Sequence, residues 1–155
     1  MTDTKVLIVD VYVLRRAWVG LEALCLRRAE GTRCANTWET VHGHILDGEH
    51  PVDAALRELR EETGLAADRL YNLSRVESFY LHHKDTVSLI PAFVAIVPES
   101  AEVKLSAEHD RAEWLPLADA AHRYAWPREA RALADAAALF GGGDAGGLED
   151  MLRVR

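Results

Sequence analysis

The stretch from Gly43 to Leu65, GHILDGEHPVDAALRELREETGL, constrains this chain more than any other. A glycine is followed after five residues by Glu49, after seven more by Arg57-Glu58-Leu59, then by Glu61-Glu62 and Gly64-Leu65. Pro51 suits the first turn of a helix, where its missing amide would be unpaired anyway, and Gly64 suits the left-handed position past the end. The punctuation predicts a helix from about Pro51 to Thr63. At about 100° per residue, Val52, Ala55, Leu56, Leu59 and Thr63 form the stripe that should meet a core, with Glu58, Glu61 and Glu62 on a flank beside it. Carboxylates at i, i+3 and i+4 repel one another by a few tenths of a kcal/mol per pair. A divalent cation removes that repulsion, and ligands that are all oxygen point to Mg2+ or Mn2+. A Glu-rich helical turn is most often a solvated face. This one is joined to Gly43, Glu49 and Arg57 at fixed spacings, which a plain surface helix does not need.

Length and composition set the frame around that stretch. The 155 residues suffice for one domain with a core of its own, here residues 1–140, followed by a Gly-rich break and tail over 141–155. A formal charge of −7 argues against broad electrostatic binding to nucleic acid or an anionic membrane. It does not exclude a phosphate substrate, because a bound cation inverts the local potential. Cys25 and Cys34 lack metal-site spacing, and Cys25, among apolar residues, reads as a buried thiol. The start MTDTK lacks a secretion signal's apolar segment, and no apolar run approaches membrane-spanning length. A cytoplasmic enzyme is expected, with a homodimer left open.

Val6 to Leu14, VLIVDVYVL, reads as one buried strand and Leu21 to Leu26 as a second. Arg27 and Arg28 leave that strand shortly before Gly43. Strand-end arginines usually just meet solvent, but a guanidinium here is placed to take phosphate oxygens. Trp38 to Val41 is a short strand, and Tyr71 to Leu81 and Thr86 to Val97 are longer ones. Pro91 inside the last implies an edge or a bulge. His82 and His83 read as a polar turn tip, since they lack a spaced His or Cys partner. Val103 to Leu105 reads as a short strand, and Glu113 to Leu117 leads into helices over Leu117 to Tyr124 and Pro127 to Phe140. Phe79, Tyr80 and Trp18 are candidates for stacking a base or pterin, although strand aromatics more often belong to a core.

The Gly43–Leu65 pattern, G-x5-E-x7-R-E-U-x-E-E-x-G-U with U aliphatic, is filled at every specified position, and by it the chain resembles the Nudix hydrolases. The resemblance implies an α/β/α sandwich with a mixed β-sheet between helices, covering roughly Val6 to Phe140. It implies Glu58, Glu61, Glu62 and the Gly43 carbonyl as ligands of Mg2+ or Mn2+, with Glu49 and Arg57 bracing loop against helix. It further implies cleavage of a diphosphate linkage by water activated at the cation, with no covalent nucleophile. Where the family usually has Pro-Gly-Gly, this chain has Val41-His42-Gly43. Trp38-Glu39-Thr40-Val41-His42-Gly43-His44, then Glu108-His109 before Trp114-Leu115, then Tyr124-Ala125-Trp126-Pro127-Arg128, look more like the dATP or dihydroneopterin triphosphate pyrophosphohydrolase branch. That branch implies a nucleoside or pterin triphosphate as substrate and release of pyrophosphate. Dinucleoside polyphosphates or nucleotide sugars are the alternative substrates, and a nucleotide-sensing module without turnover is the alternative of another class. In the resembling family a glutamate on the loop before Trp114 reaches the metal site as base or extra ligand. Glu108 matches it, with Asp110 and Glu113 as rivals.

Overall fold

The computed structural model describes all 155 residues, Met1–Arg155. Eight strands form one mixed sheet: β1 (Asp3–Val6), β2 (Ile8–Ala17), β3 (Gly20–Arg28), β4 (Trp38–Glu39), β5 (Val41–His44), β6 (Arg69–Leu81), β7 (Thr86–Ile96) and β8 (His109–Pro116). Helix α1 (Pro51–Thr63) covers one face, and α2 (Leu117–Arg123) and α3 (Pro127–Phe140) cover the other. Along β2, Val9, Val11 and Val13 point to the α1 side while Tyr12 and Leu14 point to the α3 side, and all five are fully buried. A strand covered on both faces reads as an unbroken apolar run rather than an alternating one.

The expected α/β/α sandwich with a mixed sheet is what forms, with informative local differences. The single strand expected over Val6–Leu14 is split at Leu7 into β1 and β2, both parallel to β7. Their registers, Val6 opposite Leu89 and Asp10 opposite Ala92, set three residues against two beside Pro91. On the other flank of β7, the β6 register slips between Asn72 and Val76, and Ser74 takes φ 57°. The two irregularities meet at the proline, which has no N–H to offer either neighbour. The bulge alternative for Pro91 therefore holds, in a strand paired on both sides rather than at an edge.

The expected strand Trp38–Val41 is broken at Thr40, where the chain passes from pairing with β3 to pairing with β2. Thr40 spends its hydrogens elsewhere: its amide donates to Glu129 Oε2 at 2.6 Å and its hydroxyl to the Val11 carbonyl at 2.6 Å. Val103–Leu105 is not a strand. Its segment donates to the C-terminal end of α1 instead, Lys104 N to Thr63 O at 2.8 Å and Ser106 N to Glu62 O at 3.3 Å, because the last carbonyls of a helix need outside donors. The segment beyond Phe140 packs against β6: Ala145 and Leu152 are buried, Tyr71 donates to Glu149 at 2.9 Å, and Val154 N donates to Leu70 O at 2.9 Å.

Candidate active site

Helix α1 has the bounds its punctuation predicts, with Gly64 at φ 69° and its amide donating to Arg60 O at 2.8 Å. Its buried stripe is different from the one periodicity suggests. Ala54, Ala55, Leu59 and Thr63 face the core, Val52 and Leu56 are only half-buried, and Glu58 and Glu62 are buried with the stripe while Glu61 stays exposed. The space for these carboxylates comes from Gly43, where any Cβ would overlap the Glu58 carboxylate. A glycine is required because the carboxylate lies against the bare β5 backbone.

Arg57 ties the loop to the helix. Its Nε and Nη2 each donate to one Glu49 oxygen at 2.8 Å, Nη2 also donates to His44 O at 2.8 Å, and Nη1 donates to Glu58 at 2.7 Å and to Glu61 at 3.2 Å. A guanidinium has five N–H groups, and all five are engaged. Glu49 also accepts the Leu46 amide at 2.9 Å. The Arg57 hydrogen bonds, helped by that amide, pull the Glu49 carboxyl down to about 2.

Glu62 is 3% exposed, and its Oε2 has no hydrogen-bond partner. Burial first, then the charges of Glu39, Glu58 and Glu108, push its carboxyl up to about 9. Burial likewise raises Glu58, against the pull of Arg57. With Arg57 Nη1 lying on Glu58 and Glu61, no three acidic, His or Cys side chains converge on one point. The donor set is all oxygen, crowded, and includes a buried oxygen lacking any donor, which is the chemistry a hard divalent cation satisfies.

The three acidic candidates are separated by the fold: Glu108 lies in the loop before β8, and Asp110 and Glu113 lie within β8 itself. Asp110 is held by Arg27 Nε at 2.8 Å, and Glu113 by Arg111 and Arg123, each at 2.9 Å. Glu108 is 58% exposed on its side chain, lies 3.8 Å from Arg28 Nη1, and its charge acts on both Glu58 and Glu62. Successive strand residues alternate faces, so Arg28 stands with Leu24 and Leu26 on the α1 side, whereas Arg27 faces the α3 side with Cys25. The structure brings Arg28 to the glutamates and leaves Arg27 away from them. Glu39 and His109, which the sequence offered only as parts of the branch resemblance and with no role at the site, are buried beside Arg28.

The same alternation separates Phe79 from Tyr80. Phe79 meets Trp126 edge-on, with centroids 5.9 Å apart, and Arg128 sits over the Trp126 ring. Arg128 reaches the fully buried Asp10 through Nε at 2.9 Å and Nη2 at 3.2 Å, and His42 Nδ1 lies 2.6 Å from the same carboxylate. Burial pushes Asp10 up, but His42 and Arg128 outweigh it and hold the carboxyl below its ordinary value. Tyr80 points to the opposite face and donates to Asp85 at 2.8 Å. Trp18 is 98% exposed at the β2–β3 turn, and His82 and His83 form an exposed one-turn 3-10 helix; none of the three bonds to a glutamate of the cluster. Asp10 carried a signal, as a lone acid in an apolar run needs a buried partner.

The family model described as NUDIX domain matches residues 4–136. The bis(5'-nucleosyl)-tetraphosphatase [asymmetrical] of Rattus norvegicus is 33% identical over 102 residues, which are 64% of this chain and 67% of that protein. An octanoyltransferase of Myxococcus xanthus is 39% identical over 88 residues, 56% of this chain, and the chain spans only 24% of that protein's length. Among solved structures, the C. elegans Ap4A hydrolase in a binary complex superposes with a TM-score of 0.73 at 23% identity, over 89% of this chain and 98% of that one. The E. coli dihydroneopterin triphosphate pyrophosphohydrolase does so with a TM-score of 0.66 at 24% identity, over 81% and 91%. The chain belongs to the NUDIX domain family. It is a Nudix hydrolase, a class that acts on diphosphate bonds.

Proposed function

We propose that this Nudix hydrolase is a Mg2+- or Mn2+-dependent enzyme that splits the diphosphate linkage of a nucleotide polyphosphate. The observation that carries the reading is the cradle of Gly43, Glu58 and Glu62, braced by Arg57 on Glu49 and containing an unpartnered buried oxygen. Glu58, Glu61, Glu62 and the Gly43 carbonyl hold the cation, which when bound neutralises phosphate charge and activates water. Arg28 takes a phosphate oxygen beside it. The heterocycle lies against Phe79 and Trp126, near Arg128 and His42, on the α3 side of the sheet. Dinucleoside tetraphosphate is the first substrate on this reading, supported by the identity to the rat tetraphosphatase. A nucleoside or pterin triphosphate is the second, favoured by the Trp38–His44 and Tyr124–Arg128 segments. Both cysteines are free, in keeping with a reducing cytoplasm.

Incubation with a panel of nucleotides, dinucleotides and pterin triphosphate plus Mg2+, with products resolved by mass, tests the reading. A dinucleoside tetraphosphate should give two unequal nucleotides, a triphosphate should give monophosphate and pyrophosphate, and chelator should stop either reaction. Binding without turnover across the whole panel would mean a sensing module instead.

Water must also lose a proton, and Glu108 is the carboxylate beside the cluster that no arginine holds within hydrogen-bond distance. Glu108→Gln should lower kcat roughly 10²-fold with KM little changed, the size expected for loss of a general base. Near-normal kcat in that variant would remove Glu108 from the chemistry.

A further inference from the structure

Glu39 and His109 are buried, 6% and 3% exposed, and the reaction proposed above uses neither. Glu39 pairs with Leu26 across β4 and β3, so its carboxylate points to the α1 side with Arg28. Its Oε1 accepts from His109 Nε2 at 2.9 Å and from Arg28 Nη1 at 3.3 Å. The carboxylate can only accept there, so Nε2 carries the proton, and Nδ1 is left buried with no partner. Burying an imidazole and a carboxylate costs desolvation that the pair's own hydrogen bond offsets, and the pair holds a third group besides. What it holds is the Arg28 guanidinium. Arg28 Nε donates to Arg33 O at 3.0 Å and Nη1 to Glu39, which leaves Nη2 without a protein acceptor. Every N–H of the neighbouring Arg57 is already engaged.

We propose that Glu39 and His109 are positioning residues: His109 anchors the Glu39 carboxylate, and Glu39 fixes Arg28 so that Nη2 faces a substrate phosphate beside Glu108. An arginine held in this way loses little further rotamer freedom on binding. His109 thus sets phosphate affinity without touching substrate. The inference rests on the reading of Arg28 as a phosphate ligand.

The test is the dissociation constant of inorganic pyrophosphate, measured by calorimetry with Mg2+ for Arg28→Ala, His109→Leu, His109→Gln and the Arg28→Ala/His109→Leu double variant, each with its melting midpoint. His109→Leu should weaken pyrophosphate about tenfold, the scale of one orienting hydrogen bond. His109→Gln, which keeps an N–H at the same reach, should restore most of that loss. In the Arg28→Ala background His109→Leu should add nothing, since the two act through one contact. Undiminished binding in Arg28→Ala would overturn the assignment of Arg28 itself. Weakened binding in Arg28→Ala, with His109→Leu either silent or equally harmful in both backgrounds, would overturn only the positioning role. If His109→Leu does not fold, Glu39→Gln replaces it, and its loss of affinity should likewise vanish in the Arg28→Ala background.

Discussion

Glu62→Gln should lower kcat by roughly 10³-fold and at the same time make the cation-free protein more stable. The rate loss follows from removing one of the oxygens that hold charge in place at the reacting phosphate, where single donors are worth roughly 10²–10³-fold. The gain in stability follows from burial. Folding raises the Glu62 carboxyl from its ordinary 4.5 to about 9. A group raised in this way supports the fold below 4.5 and loses that support as the pH climbs towards 9. At pH 7 the cost to the cation-free fold is on the order of 3 kcal/mol. In chelator, the melting midpoint should therefore fall as the pH rises through that window, and the Gln variant should lose this part of the slope. Wild-type turnover would show that Glu62 is not a ligand, and an unchanged pH slope that it is not a strained acid.

Arg57→Ala should lower the denaturant midpoint and cost most of the activity. Removing it leaves Glu49, Glu58 and Glu61 without their shared cation and the His44 carbonyl without a donor. Glu58 is the buried partner among these, and leaving its charge uncompensated carries most of the loss. Arg57→Lys should recover little, because one ammonium cannot reach both Glu49 oxygens, His44 and two further carboxylates. Denaturant midpoints and kcat on the same preparations check both points. Unchanged values in Arg57→Ala would mean that the loop carrying Gly43 is held by other contacts.

The bounds of α1 were legible because Pro51 and Gly64 are backbone signals that tertiary structure does not override. Its buried face was not, since periodicity treats a glutamate as polar and cannot know that Gly43 leaves a cavity for Glu58. Arg27 and Arg28 were indistinguishable in sequence: adjacent strand residues face opposite ways, and only the packed sheet says which way is which. Phe79 and Tyr80 were confounded for the same reason. Val103–Leu105 has the composition of a strand, yet the unpaired carbonyls at the end of α1 claim its amides. Glu39 and His109 are 70 positions apart and meet only because β8 pairs with β3.

The parallel pairing of β2 with β7 joins Asp10 to Ala92 across more than half the chain. The β6–β7 hairpin closes through a short turn and can form on the microsecond scale. The β2–β7 union must instead close a loop of about eighty residues before any contact repays the lost entropy. Gly43 is seated on β2 through β5, and α1 lies within the same loop. Catalytic competence should therefore be the last property recovered on refolding from denaturant, trailing the far-ultraviolet signal of secondary structure.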